Sequence, residues 1–239
     1  GTDFRSSRFT IQVKLLSIIS GIVLVSLSVM VVLASYFFRQ DSTVRVDENN
    51  LNLANAIGDR VDTELESIGY KANIMALSFD QQIGSAAEQA LFRNLFFENN
   101  PEFVALFVAD RREGVASVRR RLYNDQFLNN NDLDREGVNR IHNANADAYT
   151  SSFNGDFVVH NASLDTPMLA ISQSFGSSII ILYLAPTKLQ QSFDLKGSII
   201  KSYMVDDIGN VIAHTDSNIV LSRANYESSP FVRNMLESP

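Results

Sequence analysis

The chain has 239 residues, a formal net charge of −7 and no cysteine. The lack of cysteine excludes disulfide bonds and thiolate metal ligands, and the acidic balance argues against a nucleic-acid partner. The length allows a membrane anchor together with one or two modest folded modules.

The stretch 15–38, LLSIISGIVLVSLSVMVVLASYFF, contains no charged residue and is flanked by Lys14 and Arg39. A hydrocarbon core about 30 Å thick needs roughly 20 apolar helical residues, so this stretch predicts a transmembrane helix. Basic residues outnumber acidic ones in 1–14, which predicts a cytoplasmic N-terminus and an ectodomain outside the bacterial inner membrane, periplasmic or extracellular. A cleaved signal peptide is the alternative, but its apolar region is usually about 7–15 residues long.

Residues 39–78 predict one long stalk helix, because they contain no proline and carry a single apolar stripe. Members of the stripe recur every three or four residues: Leu51, Ala54, Ile57, Val61, Leu65, Ile68, Ala72 and Met75. Two interpretations stay open and are compatible. The stripe packs on its own domain, or a parallel second copy shares it, which would give a homodimer through the long helix.

Residues 79–197 predict a membrane-distal module of the α+β class, in which one antiparallel sheet is flanked by helices. The apolar run at 103–109 is typical of a central strand that is buried on both faces. A loop and helix, two strands, a helical insertion, three strands and a helix are expected in this order: 79–100, 103–109, 115–123, 124–152, 156–162, 168–175, 178–184 and 185–193.

Residues 198–239 predict the start of a second, membrane-proximal module. Strands at 199–205 and 211–214 would flank the turn Asp206-Asp207-Ile208-Gly209-Asn210, and a helix is expected at 230–237. Two strands and a helix bury too little surface to fold alone. We therefore expect this part either to be poorly ordered or to pack on the first module, within a longer parent protein.

The arrangement resembles a double Cache domain, the PAS-like extracytoplasmic sensor of many bacterial transmembrane receptors. The resemblance spans 39–239 and depends on the anchor that runs into a long helix, on PEFVALFVAD, on SIIILYLAPTKLQQSF and on KSYMVDDIGNVIAHTDSNIVLS. It implies a complete membrane-distal module, an incomplete proximal module and a small-molecule ligand. The amino-acid-binding pattern of some members, an arginine followed by Trp-Tyr, is absent, since 119–123 is RRRLY.

A narrower resemblance concerns the output of the receptor. The segments LASYFFRQDSTVRVDENNLNLANAI, SFNGDFVVHNAS and VIAHTDSNIVLS are similar to sensor regions of bacterial class III adenylate/guanylate cyclases. This resemblance implies cyclic AMP signalling by a cytoplasmic domain beyond Pro239, reached through a further membrane helix. The alternative is the sensor of a methyl-accepting chemotaxis protein or of a histidine kinase, because the same fold serves several outputs.

No catalytic, metal or cofactor motif stands out in the sequence. His142, His160 and His214 lie far apart and lack metal-ligand spacing, so we interpret each as a structural or surface residue. The turn beginning at Asp206 lacks the alternating oxygen ligands of a calcium loop and is interpreted as a hairpin turn. A membrane-tethered enzyme and an anchored interaction protein remain as other function classes, and neither has a supporting motif.

The candidate ligand-binding residues are Arg119, Arg121, Tyr123 and Asp156. Strand alternation would place Arg119, Arg121 and Tyr123 on one face and Arg120 on the other. Guanidinium groups suit carboxylate recognition, and tyrosine adds an apolar wall with a hydroxyl group. In the alternative interpretation these arginines form ion pairs with acidic residues such as Glu98 or Asp110.

Overall fold

The computed structural model describes residues 11–80, 84–112, 115–193 and 203–237. The chain divides into two compact units, Gly1–Ala56 and Ile57–Pro239. Two expectations fall partly outside the described residues. They are the cytoplasmic segment, for which 1–10 is not described, and the strand 199–205, for which 199–202 is not described.

The first unit contains the N-terminal part of α1, a helix of 70 residues from Ile11 to Asp80. Within α1 an 18-residue window reaches a mean hydropathy of 2.7, and none of it is buried. By length and composition this stretch is able to cross a membrane. The single helix Ile11–Asp80 confirms the long helix expected from the sequence and shows that it is continuous with the apolar stretch. Leu51, a member of the apolar stripe, is 62% exposed.

The second unit is built around a five-stranded antiparallel sheet. Its strands are Phe103–Arg112 (β1), Val115–Tyr123 (β2), Val158–Asn161 (β3), Leu169–Phe175 (β4) and Ser178–Leu184 (β5). They lie in the order β2-β1-β5-β4-β3. The inner strands β1 and β5 are the most buried, as their continuous apolar sequences predict. The α+β class with a helix-flanked antiparallel sheet is thus confirmed.

One face of this sheet, the helix face, packs against the C-terminal part of α1. Ile68 and Met75 of the stripe are both 0% exposed. From Val61 onward the stripe therefore packs on its own domain, in line with the first of the two interpretations. The cluster on this face includes Val61, Leu65, Ile68, Ala72 and Met75 of α1 and Phe103, Leu106, Val108, Leu122, Ile180 and Leu182 of the sheet.

The opposite face, the insertion face, is covered by the segment 125–154, called the insertion. It consists of α3 (Asp125–Asn130), α4 (Arg135–Asn145) and a 3₁₀ helix (Ala146–Asn154). The Asp134 carboxylate caps α4 by accepting a hydrogen bond from Gly137 N at 2.6 Å. The cluster on this face includes Ala105, Phe107, Leu128, Val138, Ile141, Tyr149, Met168, Ile181 and Tyr183.

Two further helices flank the sheet, α2 (Ala86–Asn99) and α5 (Thr187–Phe193). A capping box begins α2, in which Glu88 N donates to Ser85 Oγ while Ser85 N donates to the Glu88 carboxylate. Lys188 of α5 pairs with Glu64 at 2.6 Å and with Glu102 at 3.2 Å. The ion pairs connect α5 to α1 and to the residue before β1.

The segment 203–237 forms a hairpin, β6 (Tyr203–Val205) and β7 (Val211–His214), followed by α6 (Ser217–Leu221) and α7 (Pro230–Glu237). Asp206 Oδ1 accepts hydrogen bonds from Ile208 N and Asn210 N, and Gly209 has a φ of +83°, so the expected hairpin turn is confirmed. Ile212 and Ala213 are buried in the helix-face cluster. The hairpin therefore packs on the first module. The sequence did not predict α6.

Candidate functional site

The structure separates Arg119 from the other candidate residues. The register of β1 and β2 shifts between Val108 and Ala109, which leaves Arg119 in a bulge. Its guanidinium pairs with Asp80 at the end of α1, and its Nε donates to Asp110 Oδ1 at 3.1 Å. Simple alternation therefore does not hold here. The expected pairing with Asp110 is found, and the second partner is Asp80 instead of Glu98.

Arg121 lies on the insertion face at the outer strand of the sheet. Its guanidinium carbon is 5.7 Å from the centroid of the Phe107 ring, a cation–π contact. The side chain is exposed, and among the described residues no carboxylate pairs with it. Its hydrogen-bond donors are therefore available to an anionic ligand.

Tyr123 lies two residues further along the same face. Its ring meets Phe107 edge-on at 5.7 Å, and its hydroxyl donates to Asn139 Oδ1 at 2.9 Å. The Arg135 guanidinium lies over this ring at 5.3 Å, but that group is already paired with Asp125 at 2.7 Å. Burial raises the pKa of the Tyr123 hydroxyl, so it remains a neutral donor at pH 7.

Beside Phe107 the insertion face holds three buried polar groups, His142, Tyr149 and Tyr183. From the sequence, His142 is interpreted as a structural or surface residue, and the two tyrosines are not singled out. His142 Nδ1 lies 2.8 Å from the Tyr183 hydroxyl, which donates to the Tyr149 hydroxyl at 3.3 Å. Burial, and next the positive charge of Arg121, lower the pKa of His142 to about 4. Burial raises the pKa of both tyrosines above the usual range. The group is therefore uncharged at neutral pH.

A helical spacing in the sequence could have indicated part of this arrangement. Arg135, Asn139 and His142 recur at intervals of four and three residues, which places them on one face of α4. Their contacts with Tyr123 and Tyr183 confirm a shared direction. The partners on the sheet come from distant parts of the chain, and no local pattern predicts them.

Asp156 is exposed in the loop before β3. Among the described residues no hydrogen bond or ion pair joins its carboxylate to Arg121 or Tyr123. The structure therefore brings together Arg121 and Tyr123 around Phe107, whereas Arg119 pairs with Asp80 and Asp110.

Two clefts lie on the surface of the second unit near the residues discussed above. One of about 150 Å³ borders Tyr123 and is also lined by Arg93, Glu98 and Gln126. A larger cleft of about 540 Å³ lies between α5 and the start of β1, where its cation, Lys188, is already paired with two carboxylates. Of these two clefts, the smaller one adjoins a candidate residue, Tyr123.

The buried imidazole of His142 predicts a loss of stability in acid. Its folded pKa of about 4 lies below the unfolded value of 6.5, so between these values the unfolded chain binds the extra proton. The contribution of this group to stability is fully present above pH 6.5 and falls as the pH drops toward 4, by about 3 kcal/mol. Chemical denaturation of the full chain in detergent micelles, repeated from pH 7.5 to 4, measures this loss.

The matched variant is His142→Gln, which lacks the titrating group. We expect the variant to be less stable at pH 7 but to lose about 3 kcal/mol less than wild type on acidification to pH 4. Burial and the Arg223 charge also lower the pKa of His160, so part of the acid loss will remain in this variant. Equal acid losses in wild type and variant would contradict the assignment.

No protein-family model matches the chain, and no curated protein matches it. Among solved structures, the chain is similar to the sensory domain of the Campylobacter jejuni chemoreceptor Tlp3 (CcmL) with isoleucine bound, with a TM-score of 0.46 and 10% sequence identity. The match covers 80% of this chain and 79% of that chain. Isoleucine is the ligand of that protein.

Proposed function

We propose that this chain is the ligand-sensing input region of a bacterial transmembrane signalling receptor, with a double-Cache-like sensor outside the inner membrane. One observation carries the proposal. The helix Ile11–Asp80 includes both an apolar stretch able to cross a membrane and a buried stripe that packs on the sheet. The opposite face of that sheet carries an arginine without a carboxylate partner among the described residues, beside a half-buried tyrosine.

The ligand in this proposal is a small molecule with a carboxylate. Arg121 would donate to the carboxylate, and Tyr123 would supply an apolar wall and a hydroxyl group. The donors of Arg119 are engaged by Asp80 and Asp110, so its role is to fix the bulge of β2 against the end of α1. Asp156 remains a prediction as a further contact.

Calorimetry of the full chain in nanodiscs with acetate, lactate, succinate and citrate tests the binding proposal. We expect at least one of these carboxylates to bind and Arg121→Ala to weaken it by at least about tenfold, since a charge-assisted hydrogen bond contributes about 1.5–3 kcal/mol. Arg120→Ala is the matched control, because Arg120 pairs with Val108 of the helix-face cluster. The binding proposal fails if none of the four carboxylates binds, or if the two variants bind equally.

We propose further that two copies associate through α1. Leu51 and Ala54 belong to the apolar stripe and are exposed in the single chain, which leaves them available to a second copy. Because the chain has no cysteine, Leu51→Cys gives a single thiol, and oxidation in membranes should produce a covalent dimer. Asn49→Cys, almost opposite on the helix, is the control. Equal crosslinking of both variants, or none, argues against this interface.

The output that we favour is a class III nucleotide cyclase making cyclic AMP, with a chemotaxis protein or histidine kinase as the alternative. The sequence resemblance of the segments 33–57, 152–163 and 211–222 supports the cyclase. The coding sequence after Pro239 tests the assignment. A second membrane-spanning run followed by a cyclase domain supports it, and a signalling domain of another class replaces it.

A further inference from the structure

One helix of the insertion, α4, contacts both Tyr123 and the segment 203–237. In the N-terminal half of α4, Asn139 accepts the hydrogen bond from the Tyr123 hydroxyl at 2.9 Å. At its C-terminus it ends with Asn145, which is 5% exposed. A movement of α4 at Tyr123 would therefore reach Asn145, because both side chains belong to the same rigid element.

Asn145 joins three parts of the second unit. Its Oδ1 accepts one hydrogen bond from Arg223 Nη2 at 2.9 Å and is 3.1 Å from His160 Nε2 of β3. Its Nδ2 donates to Ile141 O at 2.7 Å, within α4. A buried amide with these partners has little freedom to rotate without leaving a polar group unpaired.

Arg223 holds the far side of this contact in an unusual backbone conformation. It follows α6 and has a φ of +51°, a region that residues other than glycine rarely adopt. Its Nε donates to Ser163 O at 2.7 Å, in addition to the bond with Asn145. The two hydrogen bonds favour this left-handed conformation, and loss of them would favour a return to a negative φ.

We propose that α4 is a coupling element, which connects events at Arg121 and Tyr123 to the segment 203–237 through the contact between Asn145 and Arg223. The inference deepens the proposed function and rests on it for the identity of the input. A ligand that takes the Tyr123 hydroxyl from Asn139 releases the N-terminal half of α4. The shift of α4 then separates Asn145 from Arg223, and Arg223 leaves the left-handed conformation.

Such a device requires two arrangements that a ligand binds with different affinity, and a coupling energy between the two ends. Tyr123 and Arg223 lie far apart in the sequence and contact different residues of α4, Asn139 and Asn145. A double-mutant cycle therefore measures the coupling between them directly. Tyr123→Phe removes the hydroxyl at one end, and Arg223→Gly removes the side chain at the other. Glycine is chosen because it accepts a φ of +51° without strain.

The readout is amide hydrogen exchange of 211–223 in the full chain in nanodiscs, without added ligand. We expect Tyr123→Phe to speed this exchange at least about threefold when Arg223 is present. In a chain that already carries Arg223→Gly, Tyr123→Phe should have no further effect. Tyr70→Phe, an exposed tyrosine of α1, is the matched control and should change neither. The coupling proposal is overturned if Tyr123→Phe leaves 211–223 unchanged, or has the same effect in both backgrounds.

A second variant separates the side-chain bonds from the backbone strain. Arg223→Ala removes the two side-chain hydrogen bonds but keeps a residue with a β-carbon at a positive φ. The amides of 211–223 should therefore exchange faster in Arg223→Ala than in Arg223→Gly. Equal exchange in the two variants would contradict the role of the left-handed conformation. Because none of these measurements uses a carboxylate, the failure of ligand binding and the failure of coupling are distinguishable outcomes.

Discussion

Phe107→Ala is expected to destabilise the unit Ile57–Pro239 by about 3–5 kcal/mol, the range for removing a fully buried aromatic ring. The Phe107 side chain is 0% exposed in the middle of β1. Its ring meets the rings of Tyr183 and His142 edge-on at 5.3 Å and 5.4 Å. Alanine would therefore leave a cavity beside a hydrogen-bonded polar pair, which the neighbours cannot fill without breaking that pair.

The loss should also change the candidate site, since Arg121 lies over the same ring. Phe103→Ala is the matched control, because Phe103 is also 0% exposed on β1 but belongs to the helix-face cluster. Chemical denaturation should give a similar loss for both variants. Only Phe107→Ala should shift the acid dependence attributed to His142. A loss below about 1 kcal/mol for Phe107→Ala would contradict the packing of this ring in the core.

The sequence predicts the elements of this fold well where a pattern is local. The apolar run of β1, the proline-free helix after the membrane stretch and the turn at Asp206 each specify their own structure over a few residues. The burial of Val61, Ile68 and Met75 follows from the same stripe. The exposure of Leu51 does not follow from the stripe, because periodicity alone does not indicate which part of a long helix packs on the domain.

The candidate site was predicted only in part, and the bulge is the main reason. Strict alternation assigns Arg119 and Arg121 to one face of the sheet. Arg119 is an extra residue in β2 without a partner on β1, so alternation does not continue through it. Bulges depend on the partner strand and on groups such as Asp80, which precedes Arg119 by 39 positions. His142 was interpreted as structural, and its partner Tyr183 is 41 positions away.

The docking of the hairpin on the first module has a similar origin. Besides the apolar contacts of Ile212 and Ala213, it involves one buried side chain, Asn161, at the end of β3. Its Nδ2 donates to Val211 O and to Val220 O, each at 2.8 Å, and its Oδ1 accepts from Ser163 N at 3.1 Å. An asparagine in a short strand gives no sequence signal for contacts 50 and 59 positions away.

Asn161→Asp is expected to destabilise the second unit by about 3–5 kcal/mol at pH 7, more than Asn161→Ala at about 2–3 kcal/mol. Alanine removes two donors and leaves two carbonyl oxygens without that partner. Aspartate does this as well and directs a carboxylate oxygen at the carbonyls of Val211 and Val220. The repulsion raises the pKa of the introduced carboxyl group.

This variant also has a distinctive pH dependence. A protonated carboxyl group donates one hydrogen bond and carries no charge, so the penalty relative to wild type should shrink as the pH falls from 7 to 5. The penalty of Asn161→Ala should stay constant over the same range. Asn99→Asp is the control for the charge alone, because Asn99 is exposed and its side-chain amide donates to Leu95 O within α2. We expect this variant to cost less than about 1 kcal/mol. Equal penalties for Asn161→Asp and Asn161→Ala at every pH would show that the two carbonyl oxygens do not depend on the Asn161 amide.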